Sequence, residues 1–164
     1  VHVRVPDRAT SKLYTSEPAA RGLVSLRVNG ADFAAKMERG YAVIERDWQS
    51  GDRIELELPM PVQRVRCDEA VAANRGHVAL RRGPLMYCVE RIDGQPMDQA
   101  LPAASALEAM WRPELLYGVQ AIRGTWSNGA ALTAIPYYAR LNRNLDPVTK
   151  RERPMSMVWM REAK

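Results

Sequence analysis

Alternation of apolar and polar residues is clearest in residues 53–58, which read Arg-Ile-Glu-Leu-Glu-Leu. A period of two places one set of side chains in a core and the other in water, as in a half-buried strand. The run over residues 40–48 also has strand character, and the small and polar residues 49–52 between the two runs tolerate a tight turn. The pattern therefore predicts a β-hairpin over residues 40–58.

Short runs of the same kind recur along the chain, separated by turn signals at a spacing of about ten residues. The turn signals include Asn29-Gly30, Gly83-Pro84 and Asn128-Gly129. Ser105 also suits the N-cap of a short helix over residues 106–110. We therefore predict an all-β fold, a β-sandwich of jelly-roll type with at most one short helix. The other predicted strands cover residues 1–5, 23–28, 62–67, 77–81, 85–90, 119–126, 130–139 and 155–160.

The length of the chain, 164 residues, is that of one domain. We therefore predict a single β-sandwich over residues 1–164, in which residues 93–154 form either an insertion or a second sub-sandwich. Because the sequence enters a strand-like run at Val1 and shows no N-terminal targeting signal, we expect a C-terminal fragment of a longer enzyme. No apolar run approaches the roughly 20 residues that span a bilayer, so no membrane partner is expected. The compartment stays unassigned.

The charge balance gives a net charge of +5 and a pI near 9.5, which raises the expectation of a nucleic-acid partner. The positive residues are mostly arginines scattered among acids, and no recognition motif for DNA or RNA accompanies them. We therefore expect no nucleic-acid partner.

The two cysteines and two histidines are too few and too dispersed for a metal site, since zinc needs three or four converging ligands. We therefore predict no metal site in this chain, and His2 and His77 are interpreted as surface strand residues. Cys88 lies in an apolar strand pattern typical of a buried thiol. That pattern argues against a nucleophilic pair of Cys88 with His77. A disulfide between Cys67 and Cys88 stays open.

Sugar cleavage commonly uses two carboxylates on either side of the scissile bond. Glu45 with Asp47, and Glu55 with Glu57, have the spacing of one strand face. The solvent face of an amphipathic strand explains both pairs more simply. We therefore predict no catalytic residue.

Aromatic residues are the remaining candidates, because their flat faces can stack on the C–H faces of a sugar. Trp126 lies beside a turn signal and is the first candidate for an exposed ring, followed by Trp111. Tyr137 and Tyr138 point to opposite faces if this segment is extended, so one of them should be exposed. Trp48 precedes a turn and is interpreted as core or hairpin support.

An ordered series of short motifs resembles the C-terminal β-sandwich region of glycoside hydrolase family 127, the β-L-arabinofuranosidase family. The resemblance extends over nearly the whole chain. The motifs are Val28-Asn29-Gly30, Gly40-Tyr41, residues 46–52, Leu58-Pro59-Met60, residues 82–88, residues 135–139 and Met157-Val158-Trp159.

The resemblance implies that catalysis takes place elsewhere. Enzymes of this family are retaining and use a zinc-bound cysteine nucleophile and a separate glutamate, all in an upstream α/α-toroid domain. No motif of that site occurs in this chain, so Cys67 and Cys88 do not correspond to the nucleophile. Zinc is expected in the absent catalytic domain, and this fragment is expected to hold no cofactor and to be inactive alone.

The resemblance therefore favours a non-catalytic module that supports or docks on the upstream catalytic domain of the same chain. An autonomous carbohydrate-binding module is the alternative, and a small enzyme in its own right is a third reading. An arabinose-containing glycan and a second copy of the chain are further candidate partners. An exposed aromatic platform would favour glycan binding, whereas a flat apolar patch rimmed by polar groups would favour docking.

Overall fold

The structure, a computed structural model, describes residues 1–6, 11–20, 22–143 and 155–164. Regular structure in these residues is almost entirely β, with sixteen strands and three single 3-10 turns. The 3-10 turns lie at Ala72–Asn74, Arg91–Asp93 and Tyr137–Ala139. The all-β prediction is therefore confirmed, and the curled sheets are those of a β-sandwich. No helix in the described part of the chain is long and apolar enough to cross a membrane.

The chain divides into two compact units, and whether residues 1–164 make up a single β-sandwich domain stays a prediction. Unit 1 comprises Val1–Ser11 and Ala19–Met60, and unit 2 comprises Lys12–Pro18 and Pro61–Lys164. The division falls beside two prolines, at Pro59-Met60-Pro61, where strand ladders are readily interrupted. That residues 93–154 form an insertion or a second sub-sandwich stays a prediction. The last eleven residues of this segment lie outside the described part of the chain.

Unit 1 consists of two three-stranded sheets that share one small core. One sheet has the order β1-β6-β5 and the other β4-β3-β7. The core joins Leu26 and Val28 of β3 to Ala42 of β6 and to Ile44. The strands are β1 (His2–Arg4), β3 (Ser25–Val28), β4 (Ala31–Asp32), β5 (Lys36–Glu38), β6 (Tyr41–Val43) and β7 (Ile54–Glu57).

The predicted hairpin over residues 40–58 is wrong. β6 pairs with β1 and β5, while β7 pairs with β3 in the other sheet. The predicted turn exists, since the Asp52 N–H donates to the Gln49 carbonyl at 3.1 Å, but it links the two sheets. Two-residue loops with two positive φ angles join other pairs, Arg39-Gly40 between β5 and β6 and Asn29-Gly30 between β3 and β4. Such loops match the twist of a hairpin and account for the partner of β6, whereas β7 pairs with β3, which is farther away in the sequence than β6.

Unit 2 is built on one ten-stranded sheet. The main order is β11-β16-β9-β10-β14-β13-β12; β8 also pairs with β9, β2 with β8, and β15 with β10. Every pairing is antiparallel except that of β11 with β16. The strands are β2 (Tyr14–Glu17), β8 (Val62–Cys67), β9 (His77–Arg82), β10 (Leu85–Glu90), β11 (Leu101–Pro102), β12 (Glu108–Arg112), β13 (Val119–Thr125), β14 (Ala131–Pro136), β15 (Ser156–Met157) and β16 (Met160–Ala163).

The short helix predicted over residues 106–110 is wrong, because most of that segment belongs to β12. This strand pairs with β13 from Glu108 opposite Arg123 to Arg112 opposite Val119. Ser105 does not cap a helix, since its hydroxyl oxygen accepts the N–H of Thr125 at 3.0 Å. Pairing along five residues outweighs the weak local preference for a helix.

Both faces of the unit 2 sheet carry apolar clusters. The inner core contains, among others, Tyr87 and Val89 of β10 and the indole of Trp126. Cys88 lies between those two β10 residues and points to the other face, as the period of a strand requires. There it forms an outer cluster, composed of Cys88, Ile135 and Ala139 with Leu115, Leu116 and Val158 packed against them.

Candidate functional site

The carboxylate pairs considered for catalysis lie on exposed parts of unit 1. Glu55 and Glu57 are on the solvent side of β7, and Glu57 accepts a hydrogen bond from the Ser25 hydroxyl at 3.1 Å. Glu45 and Asp47 are exposed and follow the end of β6. No group of three or more histidine, cysteine or acidic side chains is arranged to hold a metal ion among the described residues.

Cys67 and Cys88 are free thiols. Burial, aided by the nearby charge of Glu90, raises the pKa of Cys88 to about 11. A nucleophilic cysteine needs a lowered pKa, because the thiolate is the reactive form. The Cys88 thiol is therefore a packing group of the outer cluster.

The most deeply buried charge of unit 2 belongs to Glu90, at the end of β10. Its carboxylate accepts the Leu141 N–H at 2.5 Å and Nη2 of Arg143 at 2.7 Å. Arg143 also pairs with Asp93, at 2.5 and 2.6 Å, and these bonds raise the pKa of Arg143. Paired acceptors of this kind hold a loop in place and are not available to a substrate. Sequence reasoning missed this network, although the glutamate that ends the apolar run of β10 was a usable signal.

Trp126, the first candidate for an exposed ring, is buried, with only 1% of its surface accessible. Its indole N–H donates to Oε1 of Gln95 at 3.0 Å, and the ring belongs to the inner core. The predicted exposure was wrong because the segment that contains Gln95 crosses this end of the sheet. A ring without an accessible face offers no platform to a sugar.

Trp111, the second candidate, is exposed, with 58% of its surface accessible. It lies on β12, the last strand on its side of the sheet order. Its ring rests against Gly118, where an added Cβ would lie 2.5 Å from Cζ2 of the indole. The neighbouring glycine therefore fixes the ring, while the other side of the indole faces solvent.

Tyr137 and Tyr138 are both exposed. The predicted strand over residues 130–139 ends at Pro136, and the tyrosines follow in a 3-10 turn, so the expectation of opposite faces was wrong. Proline lacks the N–H that would extend the ladder. The guanidinium of Arg140 lies 5.4 Å from the ring centre of Tyr137 and donates to its hydroxyl at 3.2 Å.

Tyr117 is a further exposed aromatic residue, which sequence reasoning missed. Its accessible surface is 107% of the reference value, so the whole ring projects into solvent. It lies in the loop between β12 and β13, where Leu116, Tyr117 and Gly118 have φ angles of 51°, 62° and 101°. Positive φ is uncommon for residues other than glycine. An aromatic residue before a glycine in a turn was the only signal in the sequence.

Strand direction brings these aromatic residues together. β12 ends, β13 begins and β14 ends on the same side of the antiparallel ribbon that they form. Leu115 and Leu116 of one loop and Ala139 of the 3-10 turn also share the outer cluster. The two loops therefore meet at one end of the sheet, which we call the aromatic end. It carries Trp111, Tyr117, Tyr137 and Tyr138.

Charges close to Trp111 are paired. Arg112 forms an ion pair with Glu114, and this hydrogen bond lowers the pKa of Glu114. At the other end of β12, Arg123 pairs with Glu108. The aromatic end thus combines exposed rings with a paired charge next to Trp111 and the positive charge of Arg140 on Tyr137.

Two family models match the chain and together cover nearly all of it. The model of the glycoside hydrolase family 127 C-terminal domain matches residues 62–161. The model described as β-L-arabinofuranosidase, GH127 middle domain, matches residues 1–60. The boundary between the two matches agrees with the division at residues 59–61.

A curated protein and two solved structures are similar to the chain. The non-reducing end β-L-arabinofuranosidase of Bifidobacterium longum subsp. longum is 40% identical over 76 residues, which make up 45% of this chain and 11% of that protein. A solved GH127 β-arabinofuranosidase is 26% identical with a TM-score of 0.80, and the match covers 99% of this chain and 27% of that chain. A GH127 β-L-arabinofuranosidase from Geobacillus stearothermophilus T6 is 31% identical with a TM-score of 0.69, covering 93% and 27%. The chain therefore spans about a quarter or less of each relative.

Proposed function

Because the chain belongs to glycoside hydrolase family 127 and comprises that family's middle and C-terminal domains, we propose that it docks on and supports a catalytic domain upstream in the same protein. The observation that carries the proposal is the coverage of residues 1–60 and 62–161 by models of these two domains. The whole protein would then be a β-L-arabinofuranosidase that acts on arabinose-containing glycans, as the names of its relatives suggest. The zinc implied by the resemblance would belong to the catalytic domain.

An apolar surface of unit 1 supports the docking role. Leu26 of β3 and Leu56 of β7 are opposite each other and share a face, yet Leu26 is 6% exposed and Leu56 is 40% exposed. Val24 and Leu58 continue the same side of their strands and are also exposed. The core face of this sheet therefore extends beyond its own core. We define Val24, Leu56 and Leu58 as the docking face.

The other face of β7 is charged. Glu55 and Glu57 point to the opposite side of β7, and Glu57 is held by the hydroxyl of Ser25. Burial of the three apolar side chains against another domain would be favourable, at about 25 cal/mol per Å² of apolar surface removed from water. In each of the two solved relatives, about three quarters of the chain lies outside the match to this sequence. A part of that size is sufficient for such a partner.

The first test is an activity assay on the 164-residue chain with aryl β-L-arabinofuranosides, with and without added zinc. We expect no turnover, because the cysteine and glutamate motifs of the family's active site do not occur in this sequence. Turnover that persists after replacement of both Cys67 and Cys88 would refute the non-catalytic role.

The second test is coexpression of the chain with a separately encoded upstream part of its own protein, followed by copurification. We expect Leu56→Glu combined with Leu58→Glu to abolish copurification, because a docked apolar face does not accept buried unpaired charges. Ile92→Glu, at an apolar position of unit 2 that is 52% exposed, is the control. Unchanged copurification of the double variant would exclude this face.

Calorimetry separates the docking role from an autonomous carbohydrate-binding module. We expect the isolated chain to bind arabinan oligosaccharides no more tightly than about 1 mM, which corresponds to roughly −4 kcal/mol. Micromolar affinity would favour the autonomous module.

A further inference from the structure

Tyr117 projects from a loop whose base is packed. Leu115 and Leu116, the two residues before it, contact the outer cluster of Cys88, Ile135 and Ala139. Two turn hydrogen bonds close the loop, from Leu115 N–H to the Arg112 carbonyl at 3.3 Å and from Gly118 N–H to the Leu115 carbonyl at 2.9 Å. The exposed ring therefore extends from an anchored segment.

The backbone of this loop is strained in a way that exposes the ring. Leu116 and Tyr117 are successive residues other than glycine with positive φ. Such conformations cost free energy, persist only when the surrounding structure imposes them, and concentrate at ligand-binding sites. Burial of the two leucines provides the constraint here, and the result is a tyrosine with no accessible surface lost to its own chain.

Trp111 lies against the same loop. Its indole packs on Gly118, which directly follows Tyr117 in the sequence. A side chain at Gly118 would collide with the indole, and its φ of 101° also disfavours any other residue. Gly118 thus leaves room for the indole on the loop that carries Tyr117.

We propose that Trp111 and Tyr117 form a contact site for the neutral sugar units of a glycan, with the two rings stacking on its C–H faces. From the proposed function the inference takes only that the parent protein acts on glycans. Aromatic anchors commonly carry most of the affinity of small contact surfaces. Tyrosine and tryptophan also offer a polar group at the ring edge for sugar hydroxyls.

Local charge favours a sugar over a nucleic acid. Single-stranded nucleic acids also stack on aromatic rings, but their binding relies on a positively charged groove along the backbone. Beside Trp111, Arg112 is paired with Glu114. Farther along β12, Arg123 is paired with Glu108. Arg112, next to Trp111 along β12, is therefore neutralised by its partner and offers no free positive charge to a phosphate backbone.

Titration of the 15N-labelled 164-residue chain with short arabinan oligosaccharides, followed by NMR of the tryptophan indole N–H signals, tests the proposal. We expect the Trp111 signal to shift and to saturate with a Kd in the millimolar range, on the order of 1–10 mM. The signal of Trp126, whose N–H is bonded to Gln95, should stay in place and report an intact fold.

Substitutions at Tyr117 measure the contribution of its ring to sugar binding. Tyr117→Ala should weaken binding about fivefold or more, while Tyr117→Phe should keep most of it because the ring remains. Tyr41→Ala, at an exposed tyrosine of unit 1, should have no effect. The absence of a saturable Trp111 shift, an unchanged Kd in Tyr117→Ala, or tighter binding of a single-stranded oligodeoxynucleotide would overturn the proposal. None of these results would affect the docking test, which reads copurification at a different face.

Discussion

The two ends of the β12–β13–β14 ribbon carry tryptophans in similar local settings but opposite environments. Trp126 follows β13 and Trp111 lies near the end of β12, so each stands beside a loop. Trp126 is 1% exposed and Trp111 is 58% exposed. The difference arises from a distant segment, since Gln95 bonds the indole of Trp126 and Ala100 accepts the N–H of Ser127 at 3.0 Å. Proximity to a turn therefore does not determine whether a tryptophan is exposed. Coverage by a segment that is distant in the sequence determines it.

The largest expected effect separates the two tryptophans directly. Trp126→Ala should lower the free energy of unfolding by about 3–5 kcal/mol, because it removes a large ring from the inner core and one of the two N–H donors to Oε1 of Gln95. Trp111→Ala should change it by no more than about 0.5 kcal/mol, as an ordinary surface substitution does. Urea unfolding followed by circular dichroism measures both values. Equal losses of unfolding free energy in the two variants would contradict the contrast between the two ends of the ribbon.

An intermediate effect is expected at Gly83, in the two-residue loop between β9 and β10. Gly83 has a φ of 58° and precedes Pro84, which fixes a negative φ, as in a type II′ turn. Gly83→Val should cost about 2 kcal/mol or more, because a β-branched residue at positive φ is strongly disfavoured.

The matched control for Gly83 is Gly76→Ala, where φ is 68° but no atom lies within 4 Å of an added Cβ. This variant should show the cost of the conformation alone, about 1 kcal/mol. If Gly83→Val is no less stable than Gly76→Ala, the turn assignment between β9 and β10 is mistaken.

The last expected effect depends on pH and concerns the outer cluster beneath the Tyr117 loop. Burial raises the pKa of Cys88 from 9.0 to about 11. The unfolded chain loses this proton near pH 9 while the folded chain keeps it, so the stabilisation is complete below pH 9 and disappears as the pH rises through about 11. The stability of the native chain should therefore fall more steeply between pH 9 and 11 than that of Cys88→Ala. Parallel curves for the two proteins would show that the thiol is not buried in this way.

Strands with strong local patterns were predictable from the sequence. The structure keeps the predicted bounds of β8 (Val62–Cys67) and β10 (Leu85–Glu90), and the Asn29-Gly30 signal joins β3 to β4. In each case, the strand or its turn is specified by alternation or by a turn signal within a few residues. The all-β fold followed from many such segments.

Pairing between distant segments was not predictable in the same way. The false hairpin over residues 40–58 combined two true strand signals, but β6 pairs with the adjacent β5 and the distant β1, and β7 pairs with the distant β3. The aromatic candidates show the same limit. Trp111 and the two tyrosines after Pro136 meet only because β12 and β14 flank β13, and Trp126 is buried by a segment about thirty residues away in the chain.

The position of β2 has a consequence for how the molecule can be divided. Residues 14–17 fall within the range matched by the middle-domain model, yet β2 pairs with β8 from Tyr14 opposite Cys67 to Glu17 opposite Arg64. Arg66 adds an ion pair to Glu17 at 2.5 Å. A truncated chain that begins after Met60 would lack β2 and expose the edge of β8. An unpaired strand edge promotes aggregation. The sequence boundary between the two domains is therefore unsuitable for recombination or truncation, because a cut there would separate β2 from the sheet that it completes. The two domains are best transferred together.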